Sequence, residues 1–327
     1  MIFVTGGAGF IGSNLVAALG ERDRPVIVCD RLGRDGKWQN LAKRELADIL
    51  APEAMLAALN YHKAAITAVV HLGAITSTSE TDADAIIANN FILSHTLWRW
   101  CTANEKPLIY ASSAATYGDG EAGFSDDERP AALARLRPRN PYAWSKHLFD
   151  RRVLRAVASG EKHPPQWVGL KFFNVYGPNE YHKGPMLSVI ARSAAKLAAG
   201  EPLRLFRSQR FDYPDGGQRR DFIHVVDVVD VMLWLLDNPK VSGLFNLGTG
   251  QAHSWLELGR AMFAAVGKPE RIEFIDLPQE IAAAYQYVTE AEMGRLRAAG
   301  YESPFTPLEA GVADYVQRYL LAADPYR

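Results

Sequence analysis

The chain has 327 residues, 48% of them hydrophobic, and a formal net charge of −1. That length supports two domains or one large α/β domain with a smaller lobe, and the near-neutral charge argues against nucleic acid or an anionic membrane as a partner. Two cysteines, Cys29 and Cys101, are too few for a disulfide framework or a metal site, and no apolar stretch approaches the ~18 residues needed to span a bilayer.

Met1 leads straight into the apolar run Ile2-Phe3-Val4, which reads as a buried strand. No leader is expected there, and the chain is read as cytoplasmic and reduced. Thr5-Gly6-Gly7-Ala8-Gly9-Phe10-Ile11-Gly12 follows without a break, and Ser13 to Leu19 reads as a helix with Ile11, Leu15 and Leu19 on one face. Strand, glycine turn and helix form a phosphate-binding context: Gly6 turns the chain, Gly9 admits a pyrophosphate close to the backbone, and Gly12 lets helix pack on strand. The helix N-terminus adds N–H groups and partial positive charge.

Pro25 to Cys29 is a second strand ending at Asp30, 18 residues after Gly12, where a carboxylate meets an adenosine ribose. Alone, Asp30 favours NAD, because it repels a 2′-phosphate. Arg31, Arg34 and Lys37 follow, and a cation there neutralises such a phosphate. A solvated basic loop is the competing reading. Leu46 to Ile49 is read as a third strand and Ala68 to Ala74 as a fourth, with Leu72, Gly73 and Ala74 where a cofactor passes. His71 is read as a packed strand-end residue. Asn89-Asn90 is taken to open a helix to Cys101, with Asn89 as N-cap or cofactor contact. Leu108 to Ser113 is a fifth strand whose polar end lies where open α/β sheets place their sites.

Asn140-Pro141-Tyr142-Ala143-Trp144-Ser145-Lys146 starts a helix, with Asn140 as cap and Tyr142 and Lys146 one turn apart on one face. A tyrosine is a poor base at neutral pH, and a nearby ammonium lowers its pKa. With the Ser113 hydroxyl holding a substrate oxygen, such a pair can remove a hydroxyl proton while hydride leaves for a nicotinamide. The spacing alone also fits an ordinary helix surface. Trp167 to Phe172 is a sixth strand. Ser188 to Ala199, Asp227 to Asp237 and Trp255 to Val266 read as helices, the first carrying Arg192 and Lys196 on one face. By spacing alone Lys183 is a surface-loop lysine. Arg219-Arg220 suits a diphosphate through its forked donors. The tail from Asp324 is expected to fray.

Six segments together carry a resemblance. They are Thr5 to Gly12, Tyr110 to Gly118, Tyr142 to Lys146, Phe173 to Pro178, Arg220 to Val225 and Phe245 to Gly250. The chain resembles the extended short-chain dehydrogenase/reductases that act as nucleotide-sugar epimerases and dehydratases. Glu180-Tyr181-His182-Lys183-Gly184 and Leu296 to Tyr301 make it most similar to the ADP-heptose 6-epimerase branch, over essentially its whole length.

That resemblance implies a Rossmann-type doubly wound parallel sheet over 1–173 plus 219–249, and a smaller α/β substrate lobe over 174–218 plus 250–327. It implies NADP, with NAD as the alternative, contacted by Gly6, Gly9 to Gly12, Asp30, Arg31, Lys37, Leu72 to Ala74, Asn89, Lys146 and Val175. The implied catalytic residues are Tyr142, Lys183, Lys146 and Ser113. The implied contacts to an ADP-sugar substrate are Ser113, Asn174, Arg192, Phe206, Arg220 and Tyr285. The implied reaction inverts C6″ through a transient ketone, for lipopolysaccharide heptose synthesis, in a homo-oligomer with a pentamer among the options. Three positions depart from the branch pattern. Pro185 replaces a serine, Arg192 replaces a histidine, and Pro52 stands where a lysine lies near the adenosine phosphate. The segment 207–218 is longer than the pattern.

Three alternatives compete with this reading. A 4,6-dehydratase needs an acid after the strand-five hydroxyl, where this chain has Ala114-Ala115. A UDP-hexose 4-epimerase shares Ser113, Tyr142 and Lys146 and is the runner-up. A non-catalytic NADP-binding protein tends to lose the tyrosine or the lysine, and both are present here.

Overall fold

The computed structural model describes residues 1–278 and 286–327. Its strands in chain order are β1 (Ile2–Thr5), β2 (Val26–Cys29), β3 (Asp48–Leu50), β4 (Ala68–His71), β5 (Leu108–Ser113), β6 (Trp167–Phe172), β7 (Asn174–Tyr176), β8 (Leu203–Phe206), β9 (Arg219–His224), β10 (Gly243–Leu247), β11 (Ala252–Ser254), β12 (Ile272–Ile275) and β13 (Val288–Thr289).

Seven of them form one parallel sheet in the order β10-β6-β5-β4-β1-β2-β3. The chain runs outward from β1 to β3, then crosses back to β4 and runs the other way. The direction reverses between β1 and β4, where Thr5 pairs with Cys29 on one side and His71 on the other. A crevice forms at that point, beyond the carboxyl ends of the strands.

The sheet is covered on both faces, which is why its inner strands read as unbroken apolar runs. Val4, Val28 and Val70 point to one face and pack with Leu15 and Leu19 of the Phe10–Gly20 helix and Met232 of the Val225–Asp237 helix. Phe3, Ile27 and Val69 point to the other, against Leu97 of the Leu93–Ala103 helix and Phe149 and Val153 of the Pro141–Ala158 helix. Cys29 lies in that second core, its thiol pushed up to about 12 by burial. A third core gathers Tyr176, Ile190, Leu205, Phe222, Met262 and Tyr315. Around it β9 pairs with antiparallel β11 and with parallel β7 and β13, and β8 pairs with β12. Leu296 and Tyr301 pack under the large sheet rather than in this third core.

Three expectations shift. The third strand starts later, at Asp48, because this edge strand mixes polar and apolar residues and carries little pattern. The helix expected at Asn89 starts at Ala83, capped by Asp82, and passes through a π-helical stretch, Ile87–Ile92, before reaching Ala103. Asn89 sits mid-helix with its amide turned back on the Ala85 carbonyl at 2.9 Å, so it caps nothing. The tail is tied down, not frayed. The Tyr326 hydroxyl donates to Gln39 at 2.6 Å, the Arg327 N–H donates to Asn179 at 3.0 Å, and the Tyr181 hydroxyl donates to the Pro325 carbonyl at 2.7 Å.

One buried carboxylate joins the two halves of the molecule. Asp221 on β9 accepts from the Thr249 N–H and hydroxyl, the Gly250 N–H and the Ala291 N–H, at 2.7 to 3.0 Å. Replacing it with alanine strands these donors, and a buried donor without an acceptor costs about 1–3 kcal/mol. Asp221→Ala is therefore expected to lose about 2–4 kcal/mol of stability in urea unfolding. A loss below about 0.5 kcal/mol, the range of ordinary surface changes, contradicts this role.

Candidate active site

The two turns at the switch point pass backbone against backbone. Gly6 has φ +68°, and a Cβ there would lie 2.6 Å from the Gly73 amide nitrogen. A Cβ on Gly12 would lie 2.1 Å from the Gly6 carbonyl oxygen. Gly9 is the N-cap of the following helix and offers no side-chain cap, so the first-turn N–H groups point to whatever occupies the turn. This cradle, which side chains would fill, fits the pyrophosphate of a dinucleotide.

The turns open into a cleft of about 670 Å³. Gly6, Gly9, Phe10, Ile11 and Gly12 line it from one side, with Leu72, Gly73 and Ala74 beside them. Asp30 and Lys37 close the end where an adenosine ribose belongs. There the Asp30 carboxylate accepts from the Ala8 N–H at 2.9 Å and from Lys37 Nζ at 2.7 Å. Arg31 turns away and bonds Glu53. The far wall is Ser113, Tyr142, Lys146, Asn174, Val175 and Lys183, and Arg192 lies beyond them. Arg31, Asn89, Phe206 and Arg220 do not line the cleft. Arg220 lies behind it, its guanidinium 5.9 Å from the ring of Trp255, which does line it. Tyr285 lies outside the described residues.

Asn140 caps the Pro141–Ala158 helix by accepting from the Ala143 N–H at 2.8 Å, and Pro141 fills the first turn. Tyr142, Lys146 and Asp150 then follow at i, i+4 and i+8 on one face. Ser113 lies beside the Tyr142 hydroxyl and favours its ionised form. Lys146 donates to the Ala111 carbonyl at 2.9 Å, and burial brings its pKa down to about 8 against the opposing pull of Asp150. The spacing predicts a lowered phenol. The structure instead holds Tyr142 above the usual tyrosine value, because burial outweighs the pull of Ser113 and Asp150 adds to it.

Asp150 was not singled out from the sequence. Fully buried, it accepts from Ser112 at 2.7 Å, Tyr110 at 3.2 Å and Lys171 at 2.8 Å. Lys171 also donates to Thr116 at 2.7 Å. The available signal was a lysine inside the otherwise apolar run Trp167 to Phe172. Asn90 likewise carries no signal of its own: it bonds both the N–H and the carbonyl of Ile75, and Ser145 on the Pro141–Ala158 helix. His71 is a packed strand-end residue, bonded to Thr5 at 2.6 Å and Ser94 at 2.8 Å, and pushed down to about 3 by burial.

Lys183 projects from the short helical turn Tyr181–Met186. Its ammonium lies 5.0 Å from the centre of the Phe10 ring and 3.7 Å from Glu180. Burial lowers its pKa and Glu180 opposes that. Two groups able to exchange a proton, Tyr142 and Lys183, thus reach one cleft from separate elements. Among the described residues no cluster of three or more side chains fits a metal ion, and no helix is long and apolar enough to cross a membrane.

Comparison with known proteins adds to this geometry. The family model for the NAD dependent epimerase/dehydratase family matches residues 2–248. An ADP-L-glycero-D-manno-heptose-6-epimerase from Nitratidesulfovibrio vulgaris is 47% identical over the whole of both chains. A crystal structure of the Helicobacter pylori ADP-L-glycero-D-manno-heptose-6-epimerase is similar with a TM-score of 0.80 and 25% identity, over 97% of this chain and 95% of that one. The Thermus thermophilus UDP-glucose 4-epimerase in complex with NAD has a TM-score of 0.75 and 27% identity, over 98% of this chain and 99% of that one.

The cradle makes a direct prediction. Gly12→Ala places a methyl group against the Gly6 carbonyl and forces the turn open. Binding of a nicotinamide dinucleotide, followed by titration calorimetry, is expected to weaken by ~10-fold or more, about 1.4 kcal/mol. Unchanged affinity in a folded variant removes this turn from the nucleotide site.

Proposed function

The chain belongs to the NAD dependent epimerase/dehydratase family and is an epimerase, and from that premise we propose that it interconverts ADP-D-glycero-D-manno-heptose and ADP-L-glycero-D-manno-heptose at C6″ through a transient ketone. The observation that carries this is the convergence of Tyr142, Ser113, Lys146 and Lys183 on the cleft that also holds the glycine cradle. The choice of sugar is supported by relatives of that name at 42 to 47% identity. The product serves lipopolysaccharide synthesis, and the enzyme works in the cytoplasm.

The chemistry that a bound nicotinamide supplies is reversible hydride transfer at the sugar carbon. The chain's own residues handle the proton and the binding. On one face Tyr142, beside Ser113, exchanges the proton of the C6″ oxygen, and Lys146 keeps a positive charge beneath it. Lys146 is also placed to grip the nicotinamide ribose. On the other face Lys183 exchanges the proton after the ketone has turned over. One tyrosine on a rigid helix cannot serve both oxygen positions, since proton transfer needs about 2.6–3.2 Å contact. Asn174 and Arg192 line the cleft where the sugar diphosphate belongs, and Arg220 backs it.

Tyr142→Phe is expected to slow epimerisation by a factor on the order of 10² or more while leaving dinucleotide binding intact. Lys183→Met is expected to block net epimerisation and to spare the half-reaction on the Tyr142 face. An aldehyde analogue of the sugar lets the two half-reactions be followed apart. Full rates for both in saturated Lys183→Met reduce Lys183 to a binding residue.

The cofactor is read as NADP. Lys37 already neutralises Asp30, so the carboxylate no longer repels a 2′-phosphate, and Arg34 adds charge in the same loop. Mass spectrometry of the nucleotide released on denaturation tests this. Release of NAD alone makes the basic loop a solvated surface.

A further inference from the structure

We propose that Glu180 is the positioning residue for Lys183: its carboxylate, anchored by two other elements, holds the ammonium in the cleft wall against the face of Phe10. This rests on the reading of Lys183 as the second proton-exchanging group and extends it to the residue that places that group.

Glu180 is completely buried and does not line the cleft. Its Oε1 accepts from the Ser188 hydroxyl at 2.6 Å and from the Tyr315 hydroxyl at 3.1 Å. Its Oε2 accepts from the Ser188 N–H at 2.8 Å and faces Lys183 Nζ at 3.7 Å. Ser188 caps the Val189–Ala198 helix by accepting from the Ala191 N–H, and Tyr315 ends the Leu308–Tyr315 helix. A carboxylate fixed from both helices cannot follow the lysine, so the lysine must come to it. On its other side the ammonium meets the Phe10 ring, at a distance typical of a cation–π contact. Phe10 opens the helix behind the glycine turn. Lys183 is thereby clamped between the substrate side of the cleft and the nucleotide turn.

The three donors to Glu180 are neutral, and among the described residues the cation in ion-pair range of its carboxylate is Lys183. The neighbouring titratable groups are His182 on the same turn, Lys37 and Asp30 beyond it, and Arg192 farther along the cleft. Burial favours the neutral amine of Lys183, and Glu180 favours the ammonium. Removing the charge of Glu180 therefore pushes the titration of Lys183 to lower pH.

The test uses the holoenzyme and the aldehyde analogue, with each half-reaction measured across pH. In Glu180→Gln the pH limb of the Lys183-dependent half-reaction is expected to move down by about one unit, while the limb of the Tyr142-dependent half-reaction stays. Glu180→Asp withdraws the charge by one carbon and is expected to move the same limb the same way by less, which keeps the test open if Glu180→Gln does not fold. Ser188→Ala and Tyr315→Phe loosen the anchor but keep the charge, and are expected to move the limb by much less than Glu180→Gln. The proposal is overturned if neither Glu180 variant moves the limb, or if the anchor variants move it as far. Failure of the underlying reading shows separately, as full rates for both half-reactions in Lys183→Met.

Discussion

An ammonium buried in protein persists only where a carboxylate or a set of carbonyls faces it, because the desolvation of an unmatched charge exceeds most other single terms in folding. Four lysines in and behind the cleft are matched in this way, Lys146 and Lys171 buried and Lys37 and Lys183 half-buried. Lys37 meets Asp30, Lys171 meets Asp150, Lys183 meets Glu180, and Lys146 rests on the Ala111 carbonyl within the field of Asp150. Lys171 on Asp150 and Lys146 on Ala111 tie the Pro141–Ala158 helix to β6 and β5, whereas Lys37 and Lys183 pair with near neighbours whose carboxylates are themselves held from elsewhere, Asp30 by the Ala8 N–H and Glu180 by Ser188 and Tyr315.

Which parts of this were legible in the sequence follows from the range of the interaction concerned. The parallel sheet announced itself through strands such as Val26 to Cys29 and Leu108 to Ser113, because burial on both faces removes the polar alternation that would otherwise dilute the signal. The glycine turn and the Tyr142 and Lys146 pair were readable because their spacing is local and their backbone context is adjacent. Asp150 is on the same helix and only one turn farther, yet its meaning depends on Ser112 and Lys171, which reach it from two other strands. Glu180 stands beside Lys183 in the chain, but its anchors Ser188 and Tyr315 lie 8 and 135 residues away. Asn89 and Asn90 illustrate the same limit at single-residue scale. Two identical side chains are told apart only by which one the helix turns inward toward Ile75 and Ser145.

The order of the tail escapes the sequence for a related reason. A short segment without apolar pattern has no local reason to be ordered. Here its order comes from partners elsewhere: Gln39 and Lys43 near the ribose end of the cleft, and Asn179 and Tyr181 on either side of Glu180. Asn40 closes the circle by donating to the carbonyls of Ala8 and Asn179. The loop that carries Lys183 is thus fastened to the loop that carries Lys37 both directly and through the tail.

The two groups proposed to exchange protons are mounted in different ways. Tyr142 stands on an 18-residue helix packed against the central sheet, beside a serine fixed at a strand end. Lys183 stands on a six-residue turn held by a buried carboxylate and side-chain hydrogen bonds. A lysine side chain carries several rotatable bonds and a compact charge, whereas a tyrosine hydroxyl sweeps little space. A substrate whose carbonyl must be met in one orientation before it turns, and in another afterwards, places unequal demands on the two groups. The first position is defined by the site before chemistry starts. The second depends on where the ketone comes to rest. On that proposal, a rigid group at the first position and an adjustable one at the second, tethered close to the cleft, answers those unequal demands.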